Sequence, residues 1–280
     1  MENKKVAYFG TVGSFHYLAA QKYFGSDVEL VECFSFMDCC ETLKSKQVDK
    51  AVLAIENSLV GSILPNYNLV NDYDLKIIGE QYLKIGLNLV AQEGVKIEDL
   101  EFIHSHPMAL NQSSVFLHKY PHIKLVERGD TASCVKNIRD KNLLNTGAIA
   151  NEFASELYNV PILVPNIQNK KYNFTRFMIL SNESVHTSDS NKASICFRLH
   201  HDVGSLSDVL NSITKNKINL SKIQSIPVYG EVDEYKFYVD VEWAKEHYDS
   251  FKAGMEDVKN MTHDFAILGE YIKAIRPDVN

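Results

Sequence analysis

No stretch of about 18 consecutive apolar residues occurs in this chain, so it lacks the run needed for a helix that crosses a bilayer. Its start, MENKKVAYFG, passes straight into a strand-like run, without the basic and long apolar segments of a secretory signal. Positive charge is in deficit: 29 Lys and Arg stand against 36 Asp and Glu, a net charge of −7 that argues against binding along a phosphate backbone. No Cys-x-x-Cys pair is present, and the five cysteines (Cys33, Cys39, Cys40, Cys134 and Cys196) are an odd number. Adjacent Cys39 and Cys40 are poorly placed to bridge one another. These absences point to free thiols in a reducing, cytoplasmic setting. A P-loop, a G-x-S-x-G elbow and a Ser-His-Asp order are absent too.

What remains is globular. With 45% hydrophobic and 23% charged residues the chain is neither disordered nor fibrous. Its 280 residues exceed the usual single domain. An anionic ligand would have to be met locally, by a few cations or by helix N-termini.

Up to about residue 180, short apolar runs alternate with amphipathic stretches. Strands are expected at Val6–Gly10, Val28–Phe34, Lys50–Ile55, Leu75–Ile78, Lys84–Ala91, Phe102–His104, Ile123–Val126 and Thr175–Leu180. Helices are expected from Ser14 to Phe24 and over Phe36–Lys46, Pro107–Tyr120, Thr131–Lys141 and Ala148–Tyr158. That alternation is α/β. Ser181–Asn191 is nearly devoid of apolar residues and reads as a linker. Beyond it the order becomes β-α-β-β-α-β, a ferredoxin-like arrangement, so the expected domains are 1–182 and 192–280.

Ligands of open α/β sheets bind at the carboxyl ends of strands, and four such loops carry unusual polar sets. Gly10-Thr-Val-Gly13-Ser14-Phe15 offers a tight turn and a helix N-terminus, although any strand-to-helix turn can hold two glycines. Ile55-Glu56-Asn57-Ser58, followed by Gly61-Ser62, ends a buried strand in three polar residues, more than a helix cap requires. His104-Ser105-His106-Pro107, with Gln112 beyond it, opens a helix at Pro107. A metal reading of His104 and His106 fails for want of a third ligand, so no metal is expected. His118 and His122 are separated by Pro121, and His200-His201 reads as a strand end. Last, Asn173-Phe174-Thr175-Arg176-Phe177 opens a strand on which Thr175 and Phe177 share one face and Arg176 points to the other. Pattern alone allows an ordinary β-former and a solvated arginine there.

Together and in this order, Gly10–Phe15, Ile55–Ser62, Ser105–Gln112, Asp130-Thr131-Ala132 and Thr175-Arg176-Phe177 resemble the prephenate dehydratase family. Asp202–Leu206 and Ile218–Pro227 resemble the ACT domain fused to these enzymes, so the resemblance covers about residues 5 to 275. With no chorismate mutase helix before Lys5, it is to the monofunctional form. It implies two α/β subdomains with a cleft between them, like a periplasmic binding protein, and a ferredoxin-like ACT domain. It also implies conversion of prephenate to phenylpyruvate without metal or organic cofactor. Thr175 would donate to the leaving hydroxyl, Asn57, Ser58 and Gln112 would act beside it, and Glu56 would orient them. Ser105, His106, Gly13, Ser14, Arg176 and Phe177 would contact substrate. For the second domain the resemblance implies L-phenylalanine as effector near Gly204, Ser205, Leu206, Ser225 and Pro227, in a homodimer or homotetramer. The family's E-S-R-P reads Gln224-Ser225-Ile226-Pro227 here, losing a carboxylate and a guanidinium. Arogenate dehydratase and a non-catalytic amino-acid or organic-acid sensor are the rival readings.

Overall fold

The computed structural model describes residues 4–185, 187–199, 202–228, 230–231 and 234–277. His200 and His201, expected to end a strand, lie outside the described residues.

The chain begins with β1 (Lys5–Phe9), α1 (Phe15–Phe24), β2 (Glu29–Cys33), α2 (Phe36–Lys44) and β3 (Lys50–Asn57). A two-residue β4 (Gly61–Ser62), α3 (Leu64–Asp72) and β5 (Lys76–Lys84) follow. It then crosses into a second lobe through β6 (Asn88–Val90), β7 (Phe102–Ser105), α4 (Pro107–Gln112), α5 (Ser114–Leu117) and β8 (Lys124–Glu127). That lobe continues as α6 (Thr131–Lys141), β9 (Thr146–Ala150), α7 (Glu152–Tyr158) and β10 (Ile162–Val164), before the chain returns as β11 (Phe174–Ser181). The first sheet runs β2-β1-β3-β11-β5 and the second β10-β6-β9-β7-β8. The return strand lies antiparallel to both β3 and β5. At the crossover the Ile85 amide donates to the Asn173 carbonyl, tying the two connections together.

Polar caps start five of these helices. Ser14, Ser35, His106, Asp130 and Asn151 each accept a backbone N–H of the following turn, and Ser14, His106 and Asp130 belong to the motifs read in the sequence. The strand expected over Lys84–Ala91 is instead the end of β5 and, after a break at 85–87, the short β6, and the helices differ as well. The helix expected over Ala148–Tyr158 is a buried strand ending at Ala150 and a separate helix capped by Asn151, because a short apolar run fits either form until its cap is known. The helix from Pro107 breaks at Ser113 into α4 and α5. Helix α3, with Pro65 in its first turn, was not expected at all.

After the linker come β12 (Lys192–Arg198), α8 (Ser205–Lys215), β13 (Asn219–Pro227), β14 (Tyr235–Glu242), α9 (Tyr248–Met261) and β15 (His263–Tyr271). They form a sheet in the order β13-β14-β12-β15, with β13 on one edge. This unit is not held by the linker alone. Cys196, Ile226, Tyr238, Leu268 and Tyr271 share one apolar cluster with Leu53, Ile55, Leu75 and Ile77 of the first sheet. At Gly269, β15 comes so close to β5 that a Cβ would sit 1.9 Å from the Ile77 carbonyl oxygen, so only glycine fits.

Candidate active site

Between the two lobes lies a cavity of about 250 Å³. Its floor is the first sheet (Phe9, Ala54, Asn57, Thr175 and Phe177), and the α1 turn adds Ser14, Phe15 and His16. Across it stand His106, Met108, Ala109 and Gln112 around α4, with Gly129, Asp130 and Thr131 at the start of α6. Most of the wall is apolar, and among the described residues no Lys or Arg lines it.

Strand register explains how the polar groups arrive. Thr175 pairs with Asn57 and Arg176 with Glu56 across β11 and β3, and Ile55 is the extra residue of a bulge beside them. Alternation turns Thr175 and Asn57 into the cleft. There three amides close a ring. Asn57 Nδ2 donates to Asn173 Oδ1 (2.7 Å), Asn173 Nδ2 to Gln112 Oε1 (2.8 Å), and Gln112 Nε2 back to Asn57 Oδ1 (3.4 Å). The ring joins β3, the crossover and α4, and so fastens one lobe to the other. Asn57 Nδ2 also donates to Thr175 Oγ1 at 3.1 Å, which leaves the threonine's own hydrogen free to point at a ligand.

Asn173, at the centre of this ring and fully buried, was not among the site residues expected, although it begins the motif that holds Thr175. His16 was missed as well. It follows Phe15 directly, and no spacing rule marked it. Its Nε2 accepts the Ala54 N–H at 3.2 Å, and its ring packs against Phe9, Phe36 and Phe177. Burial, reinforced by neighbouring His106, lowers its pKa to about 3. Burial also lowers that of His106, whose Nδ1 accepts the Met108 N–H.

The structure does not bring every expected residue to the cleft. Arg176 is 3% exposed and faces the sheet that follows the linker. Its guanidinium donates to Glu80 at 2.6 Å, to Asp240 and to the Tyr271 hydroxyl at 3.0 Å. Burial opposes the charge, but Asp240 and Glu80 hold the guanidinium firmly protonated. Glu56 likewise turns away to meet Lys222 at 2.7 Å. Ser105 is fully buried and donates to the Ile149 carbonyl, a bond within the second sheet. Ser58 accepts the Phe174 N–H outside the cavity, and Gly13 gives its carbonyl to Asn151. Asn57, Gln112, Thr175, Ser14, His106 and Phe177 do line the cleft.

In the unit after the linker, Gly204 begins α8 in the left-handed region with no side-chain cap, and the Ser205 N–H turns back to the Asp202 carbonyl. Ser225 and Pro227 lie on edge strand β13. Among the described residues no group of three or more His, Cys, Asp or Glu stands close enough to hold a metal, and no helix is long and apolar enough to cross a membrane. All five cysteines are free and buried.

Comparison with known proteins adds the family. The bifunctional chorismate mutase/prephenate dehydratase of Aquifex aeolicus (strain VF5) is 33% identical over 273 residues, 97% of this chain and 74% of that protein. The Arabidopsis thaliana protein named arogenate dehydratase/prephenate dehydratase 2, chloroplastic, is 38% identical over 251 residues, 85% of this chain and 65% of that one. The prephenate dehydratase from Arthrobacter aurescens, solved in complex with L-Phe, superposes with a TM-score of 0.84 at 23% identity, covering 98% of this chain and 92% of that chain. GqqA, described as a novel type of quorum quenching acylase, reaches the same score at 24% identity over 97% and 98% of the two chains, so the shared fold alone does not fix an activity. The prephenate dehydratase family model matches residues 6–185, and with the Aquifex relative aligned along nearly the whole chain, this protein belongs to the prephenate dehydratase family.

Proposed function

We propose that the cleft converts prephenate to phenylpyruvate. The bond from the ring to its carboxylate breaks, the electron pair enters the ring, and the hydroxyl opposite leaves. One proton is consumed, and carbon dioxide and water depart. Aromatisation supplies the driving force, so the protein's task is to hold the ring and assist the hydroxyl. No cofactor is called for.

One observation carries this reading: the Thr175 hydroxyl stands on the cleft floor with its oxygen engaged by Asn57 and its hydrogen free. Threonine is too weak an acid to surrender a proton outright, so Thr175 donates a hydrogen bond to the departing oxygen, and the proton comes from water. Asn57, Asn173 and Gln112 fix the hydroxyl's direction. Phe177 walls the ring. Arg176, Glu56, Ser105, Ser58 and Gly13 support the cleft without touching the substrate.

The β-α-β-β-α-β unit fits a regulatory ACT domain in which L-phenylalanine binds near Gly204–Leu206, Ser225 and Pro227. A second copy would meet the free edge strand β13, giving a homodimer or larger assembly. The phenylalanine complex of the Arthrobacter relative supports that choice of effector. The plant relative's printed name keeps arogenate as the alternative substrate.

Ultraviolet detection of phenylpyruvate after mixing with prephenate, beside a parallel assay for phenylalanine formed from arogenate, tests the reading. Turnover of prephenate supports it, turnover of arogenate alone selects the alternative, and turnover of neither leaves the sensor. L-phenylalanine at sub-millimolar concentration should lower the rate. No response up to several millimolar would remove it as effector.

A further inference from the structure

The substrate proposed above is a dianion, yet the cleft offers it no cation. Among the described residues its lining holds three titratable side chains: His16 on the floor, with His106 and Asp130 opposite. A neutral polar group must therefore meet at least one carboxylate, and His16 is placed to do so. Its Nε2 is the acceptor for the Ala54 N–H, so the ring proton sits on Nδ1. No described residue gives that Nδ1 a partner, and it is not among the buried polar atoms sealed away without one, so it opens on the cleft. Phe9, Phe36 and Phe177 surround the ring at 5.0 to 5.5 Å between centroids and fix its direction before any ligand arrives.

We propose that His16 binds a carboxylate oxygen of the substrate through its Nδ1–H, as a neutral donor. The absence of cations has a chemical reason. A carboxylate that leaves as carbon dioxide loses its charge in the transition state, and a fixed cation would stabilise the ground state more than the transition state. A neutral imidazole anchors the anion without that penalty. Burial keeps His16 unprotonated throughout the neutral range.

This inference rests on the reading of the cleft as a prephenate site, and two variants separate the roles of the two ring nitrogens. In His16→Gln the side-chain amide reaches the Nε2 position and can still accept the Ala54 N–H, but the cleft donor is lost. In His16→Asn an amide N–H stands at the Nδ1 position, but the acceptor for Ala54 is lost. For a neutral donor to a charged oxygen, His16→Gln should fold normally and lose roughly ten- to a hundredfold in kcat/KM, carried by KM. His16→Asn should melt earlier yet keep most of its kcat/KM. Between pH 5.5 and 8.5 the ratio of His16→Gln to unmutated kcat/KM should stay constant, since no charge on His16 is gained or lost. Wild-type kinetics in a folded His16→Gln variant would overturn the inference alone, as would the reverse order of the two variants or a ratio that titrates in that window. Failure of the unmutated chain to turn over prephenate would overturn the reading of the cleft, and this inference with it.

Discussion

On the cleft face of β3 and β11, the polar groups are neutral and hold one another: Thr175, Asn57, Asn173 and Gln112. One residue along, on the reverse face, they are ions. Arg176 and Lys192 share Glu80, Asp240 takes Arg176 and Ser194, and Lys222 takes Glu56. Both sets are largely buried, so the contrast is one of chemistry and not of exposure. Where the partners are permanent protein groups, charges can be neutralised on the spot and their desolvation offset. Where the partner is a ligand that comes and goes, a fixed charge would stand unpaired in every empty cycle, whereas a closed ring of amides satisfies itself.

The largest effect that separates the faces is on stability. Arg176→Met removes one cation and leaves Asp240 and Glu80 with too few counter-charges, at a cost of about 3–5 kcal/mol. Thermal melting should fall by on the order of 10 °C, with near-normal kinetics in the protein that remains folded. A melting point within two degrees of the parent would mean that the ion cluster holds nothing together. Thr175→Ala should do the opposite. Turnover falls by about a hundredfold or more, while melting barely moves, because Asn57 keeps Asn173 as acceptor. Wild-type-like turnover would remove Thr175 from the mechanism. Two adjacent residues would then have lost the distinction drawn between them.

That distinction was half legible. Strand alternation gives the opposite directions of Thr175 and Arg176 from sequence alone. What Arg176 meets could not be read, because its partners Glu80 and Asp240 lie 96 and 64 residues away on strands whose register no local pattern fixes. The same holds for Glu56, whose Lys222 is 166 residues distant. Motif membership placed both beside the substrate, and the third dimension placed them behind it. Ser105 and Gly13 show the same limit: a polar or turn residue inside a motif can serve the scaffold that presents its neighbours. The starts of α1, α2, α4 and α6 were readable because caps act within three residues, whereas α7 was begun too early and α3, which has no side-chain cap, was not seen. His16 and Asn173 were hidden for a different reason, since a histidine in a helix and an asparagine before a strand are individually ordinary.

Acid provides a milder test and reaches the two faces at different pH. His16 titrates at about 3 in the fold against an ordinary value near 6.5, so below pH 6.5 the unfolded chain binds the proton that the folded cleft refuses. Stability is therefore lost as pH falls from 6.5, by up to about 2 kcal/mol at pH 5 from this side chain. His106 and His104, also lowered by burial, add in the same direction. The ionic face behaves differently. Burial opposes the Asp240 charge, but Arg176 and Lys192 hold its pKa below the ordinary 3.8, so its contribution is intact above about pH 4 and is lost only as pH falls through that lower value. Denaturant titrations should thus show a first decline between pH 6.5 and 4 that His16→Gln reduces, and a second, below pH 4, that it leaves unchanged. If His16→Gln leaves the upper decline intact, the neutral cleft is not where acid first acts. If stability instead stays flat down to pH 4, the cleft histidines carry their protons in the fold and the electrical contrast between the two faces of β11 disappears.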